Sequence, residues 1–418
     1  MKLRQIRVDG YKNLINCVVD LGDFNVLVGP NNSGKSNFLE AIQSLFLFSF
    51  ASEKTREAAF KGLPASVRWF GTSIPHMKRH QDMSLNIGIT FEMKIEPDLW
   101  TIDYDFSARR KHSQNGEPTF MKESLMAKPS SRTGVSTIYI DRDTERLFIR
   151  TKTGKKERRI AGDISALTAI KTLYPEFDGL PSEMEIFIYA IETIALIDVF
   201  QISPDKLRES IGMKSPSQGF RISSFDFLAV IDEIHKDAAK YELFRQSVCD
   251  VLDIEDLKFV AKDIPKPSTD AFPKSAPERV MYCYLKRRGD TYAHIGEYSD
   301  GTLVVVAVLS AVLSGKNTGP ILCIEELENC LHPAAVERLL RFLQDNAKEW
   351  PVLITTHSPY VLNCVNPEDV NVAVVDETGA TYFKKVRNTK QLRDYLRSGF
   401  MSFGDMLVSN FEDVLGNK

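Results

Sequence analysis

Three short stretches of this chain hold residues whose types and spacing suit work on a phosphate chain. The first is Gly29-Pro30-Asn31-Asn32-Ser33-Gly34-Lys35-Ser36: a glycine, four residues, then Gly-Lys-Ser. That spacing is a phosphate-binding loop. Its glycines allow turns that aim successive backbone N–H groups inward, Lys35 reaches the β- and γ-phosphates, and the Ser36 hydroxyl is a ligand for Mg2+. The second stretch is Glu325-Glu326, at the end of the apolar run Ile321-Leu322-Cys323-Ile324. Glu325 is placed to orient Mg2+ or its waters, and Glu326 to polarise the water that attacks the γ-phosphate. The third is His357, which follows Val352-Leu353-Ile354-Thr355-Thr356 and could contact the γ-phosphate and that water.

The elements that must position these residues are legible around them. Phe24 to Val28 reads as a buried strand, and from Asn37 a helix is marked by Phe38, Leu39, Ile42, Leu45 and Phe46 at helical spacing. A strand thus feeds a tight loop that opens a helix, whose N-terminus adds partial positive charge where phosphates would sit. Gly29, Asn31, Asn32, Ser33, Gly34, Lys35, Ser36 and Asn37 are the expected nucleotide contacts. Pro320 to Ile324 and Val352 to Thr356 read as two more apolar strands. In a parallel sheet, ligands collect at the C-terminal strand edges, where Glu325, Glu326 and His357 fall. Tyr298-Ser299-Asp300-Gly301-Thr302 precedes an apolar segment, Leu303 to Leu313, and by itself reads as a helix N-cap.

The remainder divides by texture. Leu3 to Val8, a turn at Asp9-Gly10, a strand near Cys17-Val18-Val19, and an alternating strand from Met83 to Phe91 make the N-terminal part strand-rich; Glu53 to Arg79 resists assignment. Ser136 to Ile140 and Arg146 to Thr151 predict a hairpin, with Lys152 to Arg159 as its basic tip. That run and Arg109-Arg110-Lys111 suit either phosphate contacts or simple solvation. Residues 160–260 carry helical spacing, in one helix from Met184 to Ile202 and another from Phe225 to Val251 capped by Ser223 or Ser224. Four prolines in the thirteen residues from Pro265 to Pro277 then mark a linker. No sustained heptad pattern or internal repeat is visible.

A net charge of −3, from 53 basic and 56 acidic residues, gives no global case for nucleic-acid binding, so such contacts must be local. The 43 % hydrophobic and 26 % charged residues are ordinary for a globular protein. Six cysteines form no C-x-x-C pair and read as reduced thiols. The N-terminus lacks a signal-peptide core, and the apolar window from Ile186 to Phe200 is too short to span a bilayer, so a cytoplasmic protein without a membrane partner is expected.

The order of Gly29–Ser36, Ser299-Asp300-Gly301-Thr302, Ile324-Glu325-Glu326-Leu327-Glu328 and Thr356-His357-Ser358 resembles that of ABC-type P-loop ATPases of the SMC/RecF/OLD branch. The resemblance is close over roughly residues 1–50 and 280–365 and loose elsewhere. It implies an α/β fold: an ABC-ATPase head with a mixed sheet flanked by helices, an N-terminal antiparallel β region, and a helical insertion lobe. The head would be divided between residues 1–100 and 281–418, with the hairpin and lobe in 101–280. It implies that ATP and Mg2+ are bound, that Ser299, Asp300 and Gly301 form the signature contacting the γ-phosphate on the opposite subunit, and that His357 is the switch histidine. Tyr11-Lys12-Asn13 falls on an N-terminal strand near the base, which makes Lys12 and Asn13 nucleotide contacts. Glu325 replaces the family's aspartate and Leu327 its proline, which implies slow turnover.

What the resemblance implies as function is a head-to-tail homodimer around ATP that drives or restrains an effector, such as a nuclease or toxin from the same operon, in bacterial anti-phage defence. The absence of heptads argues against an SMC tether, and the roughly sixty residues after His357 are too few for a fused nuclease domain. Two alternatives stand beside it: a nucleotide-gated scaffold with negligible turnover, and a RecF-like DNA-binding repair ATPase using Lys155, Lys156, Arg158 and Arg159.

Overall fold

The computed structural model describes residues 1–50, 84–110, 118–172, 179–195, 197, 199–201, 203–211, 227–264, 278–314, 320–387, 392, 394, 396 and 402–409. Strands β1 (Lys2–Asp9), β2 (Cys17–Asp20) and β3 (Phe24–Val28) lead into helix α1 (Lys35–Ser49). There follow β4 (Leu85–Ile95), β5 (Asp98–Arg110), β6 (Pro118–Pro129), β7 (Thr137–Arg142), β8 (Arg146–Thr151) and β9 (Gly154–Arg159). Next come α2 (Ala166–Thr172), α3 (Ser182–Ala195), β10 (Val199–Gln201), α4 (Pro204–Ile211), α5 (Phe227–His235) and α6 (Ala238–Leu252). The chain continues through β11 (Asp256–Ile264), β12 (Glu278–Lys286), β13 (Tyr292–His294), α7 (Asp300–Leu313), β14 (Leu322–Glu325) and α8 (Pro333–Asn346). The last elements are β15 (Val352–Thr356), α9 (Pro359–Asn363), β16 (Val370–Val375), β17 (Thr381–Lys385) and α10 (Phe403–Ser409).

These strands form three sheets, and the fold is α/β with an antiparallel N-terminal region, as expected. The first sheet runs β2-β1-β4-β5-β6-β7-β8-β9 and is antiparallel throughout. The second runs β10-β14-β15-β3-β16-β17 and is parallel except at β17. A small antiparallel sheet, β11-β12-β13, completes the set.

Every residue of β3 and of β15 is buried, which is why both read as continuous apolar runs rather than alternating ones. Their side chains nonetheless sort by the strand period of two. Leu27, Cys323 and Leu353 join a core with α1, α2, α3 and the antiparallel sheet. Val26, Val28, Leu322, Ile324, Val352 and Ile354 join another with α5, α6, α7 and α8. The parallel sheet is therefore the wall between two cores. Asn25, buried in β3, is satisfied by Gly22 and by the Val352 carbonyl.

The 101–280 stretch contributes to both cores. Its helices α2 and α3 lie with α1, while α5 and α6 lie with α7. The helix expected from Met184 to Ile202 ends at Ala195, and Val199–Gln201 becomes a strand paired with Cys323–Glu325. The helix expected from Phe225 to Val251 is two helices, parted at Lys236-Asp237, where Asp237 accepts hydrogen bonds from the N–H groups of Ala239 and Lys240 at 3.1 and 3.2 Å. Lys152 to Arg159 is not a hairpin tip: after a turn it forms β9, the edge strand of the large sheet. Residues 53–79, Lys111, Ser223, Ser224 and the proline-rich stretch 265–277 lie outside the described residues.

Candidate functional site

The parallel register sets the site. Val28, the last residue of β3, pairs with Thr356, the last of β15, and Ile324 of β14 pairs with Ile354. Three neighbouring strands therefore end at one edge, and residues 29–36, 325–328 and 357 emerge there together. Gly34 has φ +88°, and a Cβ on it would lie 3.1 Å from the Asn13 amide, so the loop takes glycine for both conformation and space. Asn32 is also left-handed, at φ +64°.

Lys35 is only 6 % exposed, and its ammonium donates to the carbonyls of Gly29 at 2.7 Å and Pro30 at 2.9 Å. Burial pushes its pKa below the usual lysine range, while Glu326, Glu328 and Glu325 oppose that shift. The negative charge of three carboxylates is thus felt by one lysine. The Ser36 hydroxyl donates to Glu325 Oε1, so two oxygen ligands of the kind a hard divalent ion takes already meet at the loop's end. Ser33 Oγ is buried with no hydrogen-bond partner, as a loop built to enclose an anion would leave it. The donor set fits Mg2+ bound with a nucleoside triphosphate.

Glu326 sits at φ +50°, a left-handed conformation costing roughly 1–3 kcal/mol for a side-chain-bearing residue. The turn is held by its own N–H, which donates to Thr355 Oγ1 at 3.1 Å, and by Asn329 Nδ2, which donates to Glu326 Oε2 at 2.7 Å. His357 is 44 % exposed, with Nδ1 3.8 Å from Glu326 Oε1 and 3.5 Å from Glu328 Oε1. Glu328, Asn329 and Thr355 escaped assignment from sequence. The only signal for Glu328 was a third glutamate two residues beyond the pair.

Lys12 and Asn13 meet the start of α1, although they lie on a turn rather than on the expected strand. Lys12, at φ +50°, donates to Asn37 Oδ1 at 3.2 Å and pairs with Glu40; Asn13 accepts from Asn37 Nδ2 at 2.6 Å and donates to Thr381 Oγ1 at 2.8 Å. Ser299 is the N-cap residue of α7 but makes no side-chain cap bond; its hydroxyl lies 3.1 Å from Thr302 Oγ1. Asp300 is held by Arg208, which also donates to the carbonyls of Gly296 and Tyr298. A Cβ on Gly301 would lie 2.6 Å from the Cys330 carbonyl oxygen, so α7 begins tightly against the loop that follows Glu326. Among the described residues, no hydrogen bond or ion pair joins Ser299–Gly301 to Gly29–Ser36 of the same chain.

Two family models match this sequence: "AAA ATPase domain" over residues 1–195, and "AAA domain, putative AbiEii toxin, Type IV TA system" over residues 205–363. Among solved structures, an SMC head bound to the C-winged helix domain of ScpA is 16 % identical, covers 94 % of this chain and 100 % of its own, and superposes with a TM-score of 0.54. An SMC head with an extended coiled coil, bound to the C-terminal domain of ScpA and derived from Pyrococcus furiosus, is 13 % identical, with coverages of 95 % and 99 % and a TM-score of 0.50. At such identities the likeness is one of fold. No curated protein matches. Among the described residues, no helix is long and apolar enough to cross a membrane.

Proposed function

We propose that this chain, which is an ABC-type P-loop ATPase of the SMC/RecF-like branch, hydrolyses ATP in a site completed by a second copy of itself. The observation that carries the reading is the convergence of Lys35, Ser36, Glu325, Glu326 and His357 at the shared edge of β3, β14 and β15. Lys35 would exchange its loop carbonyls for β- and γ-phosphate oxygens. Ser36 and Glu325 would hold Mg2+, which when bound supplies charge neutralisation across those phosphates. Glu326 would take the proton of the attacking water on its carboxylate, and His357 would donate to the γ-phosphate. Gly29, Asn31, Asn32, Ser33, Gly34 and Asn37 would line the phosphates, with Lys12 and Asn13 bracing the start of α1.

These groups supply one side of the γ-phosphate. Ser299, Asp300 and Gly301 of a second copy would supply the other, so that ATP joins a head-to-tail dimer and hydrolysis releases it. The signature helix α7 packs against α4, α5 and α6, which gives nucleotide state a route to a partner. That partner is read as an effector protein such as a nuclease or toxin encoded alongside, in bacterial anti-phage defence, on the strength of the resemblance to OLD-like ATPases. Glu325 reaches Ser36 directly with a side chain longer than aspartate, which supports slow turnover and keeps a nucleotide-gated scaffold as the second reading.

Steady-state turnover of the wild type and Glu326→Gln at saturating Mg-ATP, with the mass of each in solution, tests the proposal. Turnover in the wild type, together with an inactive, ATP-trapped dimer in the variant, is the expected result. A wild type without turnover would overturn it in favour of the scaffold.

A further inference from the structure

We propose that Glu328 is a positioning residue for hydrolysis, a strut that fixes the height and orientation of His357 beneath the γ-phosphate; this rests on the reading of His357 given above. The strut is visible in the bonds of one carboxylate. Glu328 leaves the β14 turn and runs back under the end of β15, where its side chain is 13 % exposed. Its Oε1 accepts from Thr356 Oγ1 at 2.7 Å and from the His357 backbone N–H at 3.1 Å. The same oxygen lies 3.5 Å from His357 Nδ1. One oxygen therefore holds the last β15 residue, the histidine backbone and one edge of the histidine ring.

The orientation follows from the charges. Glu328 and Glu326 both approach the ring at Nδ1, so the carboxylates are placed to accept Nδ1–H, and Nε2, turned away from them, is the nitrogen that would donate to the γ-phosphate, which calls for the doubly protonated ring. Glu328 Oε2 is buried without a hydrogen-bond partner. A carboxylate acting only as a structural tie would be expected to spend both oxygens. Here one remains available to take Nδ1–H if the ring advances toward a bound nucleotide. Glu328 also lies close enough to Lys35 to bear on its charge, so a role in ATP binding is the competing explanation.

Kinetics on four variants separate these. Glu328→Ala is expected to lower kcat about ten-fold or more while KM for Mg-ATP stays within about three-fold. Glu328→Gln keeps an acceptor for Thr356 and the His357 N–H but places an NH2 group where Oε2 lies, and is expected to recover part of the rate lost in Glu328→Ala. The double variant Glu328→Ala/His357→Ala is expected to be no slower than His357→Ala alone, because both remove one function. Binding of a fluorescent ATP analogue and a thermal melt establish that each variant is folded. Independent, multiplying losses, or a raised KM with kcat kept, would overturn the proposal. A wild-type rate in His357→Ala would instead sink the reading of His357 beneath it, so the two failures show in different variants.

Discussion

Two charged clusters in this protein look alike in composition and differ in how completely they are bonded. In the large antiparallel sheet, Arg142 and Glu123 have fully buried side chains 3.4 Å apart. Glu123 also accepts from Tyr104 OH at 2.8 Å and from the Ala166 and Leu167 N–H groups at 2.6 and 3.4 Å, so it caps α2. Arg142 donates to the carbonyls of Ala161, Ile164 and Asp143. At the parallel edge, the charges of Glu326, Glu328 and Glu325 bear on Lys35, while Glu328 Oε2 and Ser33 Oγ are buried and unpartnered. The first cluster has spent its bonds inside the chain and is a tie. The second has bonds and charge in reserve, which is the condition of a site awaiting phosphate and a cation.

The contrast can be broken most sharply at Lys35. Lys35→Ala should abolish nucleotide binding and turnover with the melting temperature little changed, since it removes a ligand contact; isothermal titration beside a melt checks both. Next in size, Glu123→Ala should leave Arg142 buried and uncompensated and cost about 3–5 kcal/mol of stability, read by urea unfolding. Its loss of activity should track the unfolded fraction alone. If Glu123→Ala instead left stability intact and altered catalysis, the distinction between tie and site would fail.

Gly301→Ala carries an intermediate effect. The added methyl would fall 2.6 Å from the backbone oxygen of Cys330 and must shift the start of α7. ATP-dependent dimerisation should weaken several-fold while monomer binding of ATP is retained; equal losses of both would contradict a signature acting in trans. The smallest effect is expected at β9, where Lys155, Lys156, Arg158 and Arg159 lie on an edge strand. Neutralising all four should leave ATPase activity unchanged and stability within about 0.5 kcal/mol per substitution. A salt-dependent loss of DNA affinity in that variant would add nucleic acid to the partners and favour the repair reading.

Much of the second cluster was legible from sequence because catalytic groups at sheet edges are announced by the strands before them. Phe24–Val28 and Val352–Thr356 appear in the structure with the bounds their apolar runs suggest, and each delivers its loop directly. Glu328 was not legible, since its meaning lies in Thr356 and His357, 28 and 29 residues on, and not in its neighbours. Val199–Gln201 was absorbed into a helix because three residues carry too little periodicity; only pairing with β14 makes them a strand. The basic run at 152–159 misled for a related reason, as polar residues on an edge strand resemble those of a turn. The Arg142–Glu123 tie gave no sign either, since its contacts with Tyr104, with α2 and with the carbonyls of Ala161 and Ile164 before it are tertiary.

The central claim is that each ATP site is shared between two copies, and mixing two disabled chains tests it most directly. Lys35→Ala lacks the phosphate loop's lysine, and Ser299→Arg, at an exposed position, blocks the signature. Each alone should be inactive. A mixed dimer holds one site with an intact loop from the Ser299→Arg chain and an intact signature from the Lys35→Ala chain. An equimolar mixture should therefore regain about a quarter of the wild-type ATPase rate, the yield for random pairing in a two-fold dimer. No recovery in mixtures shown by mass to contain the mixed dimer would contradict the shared site.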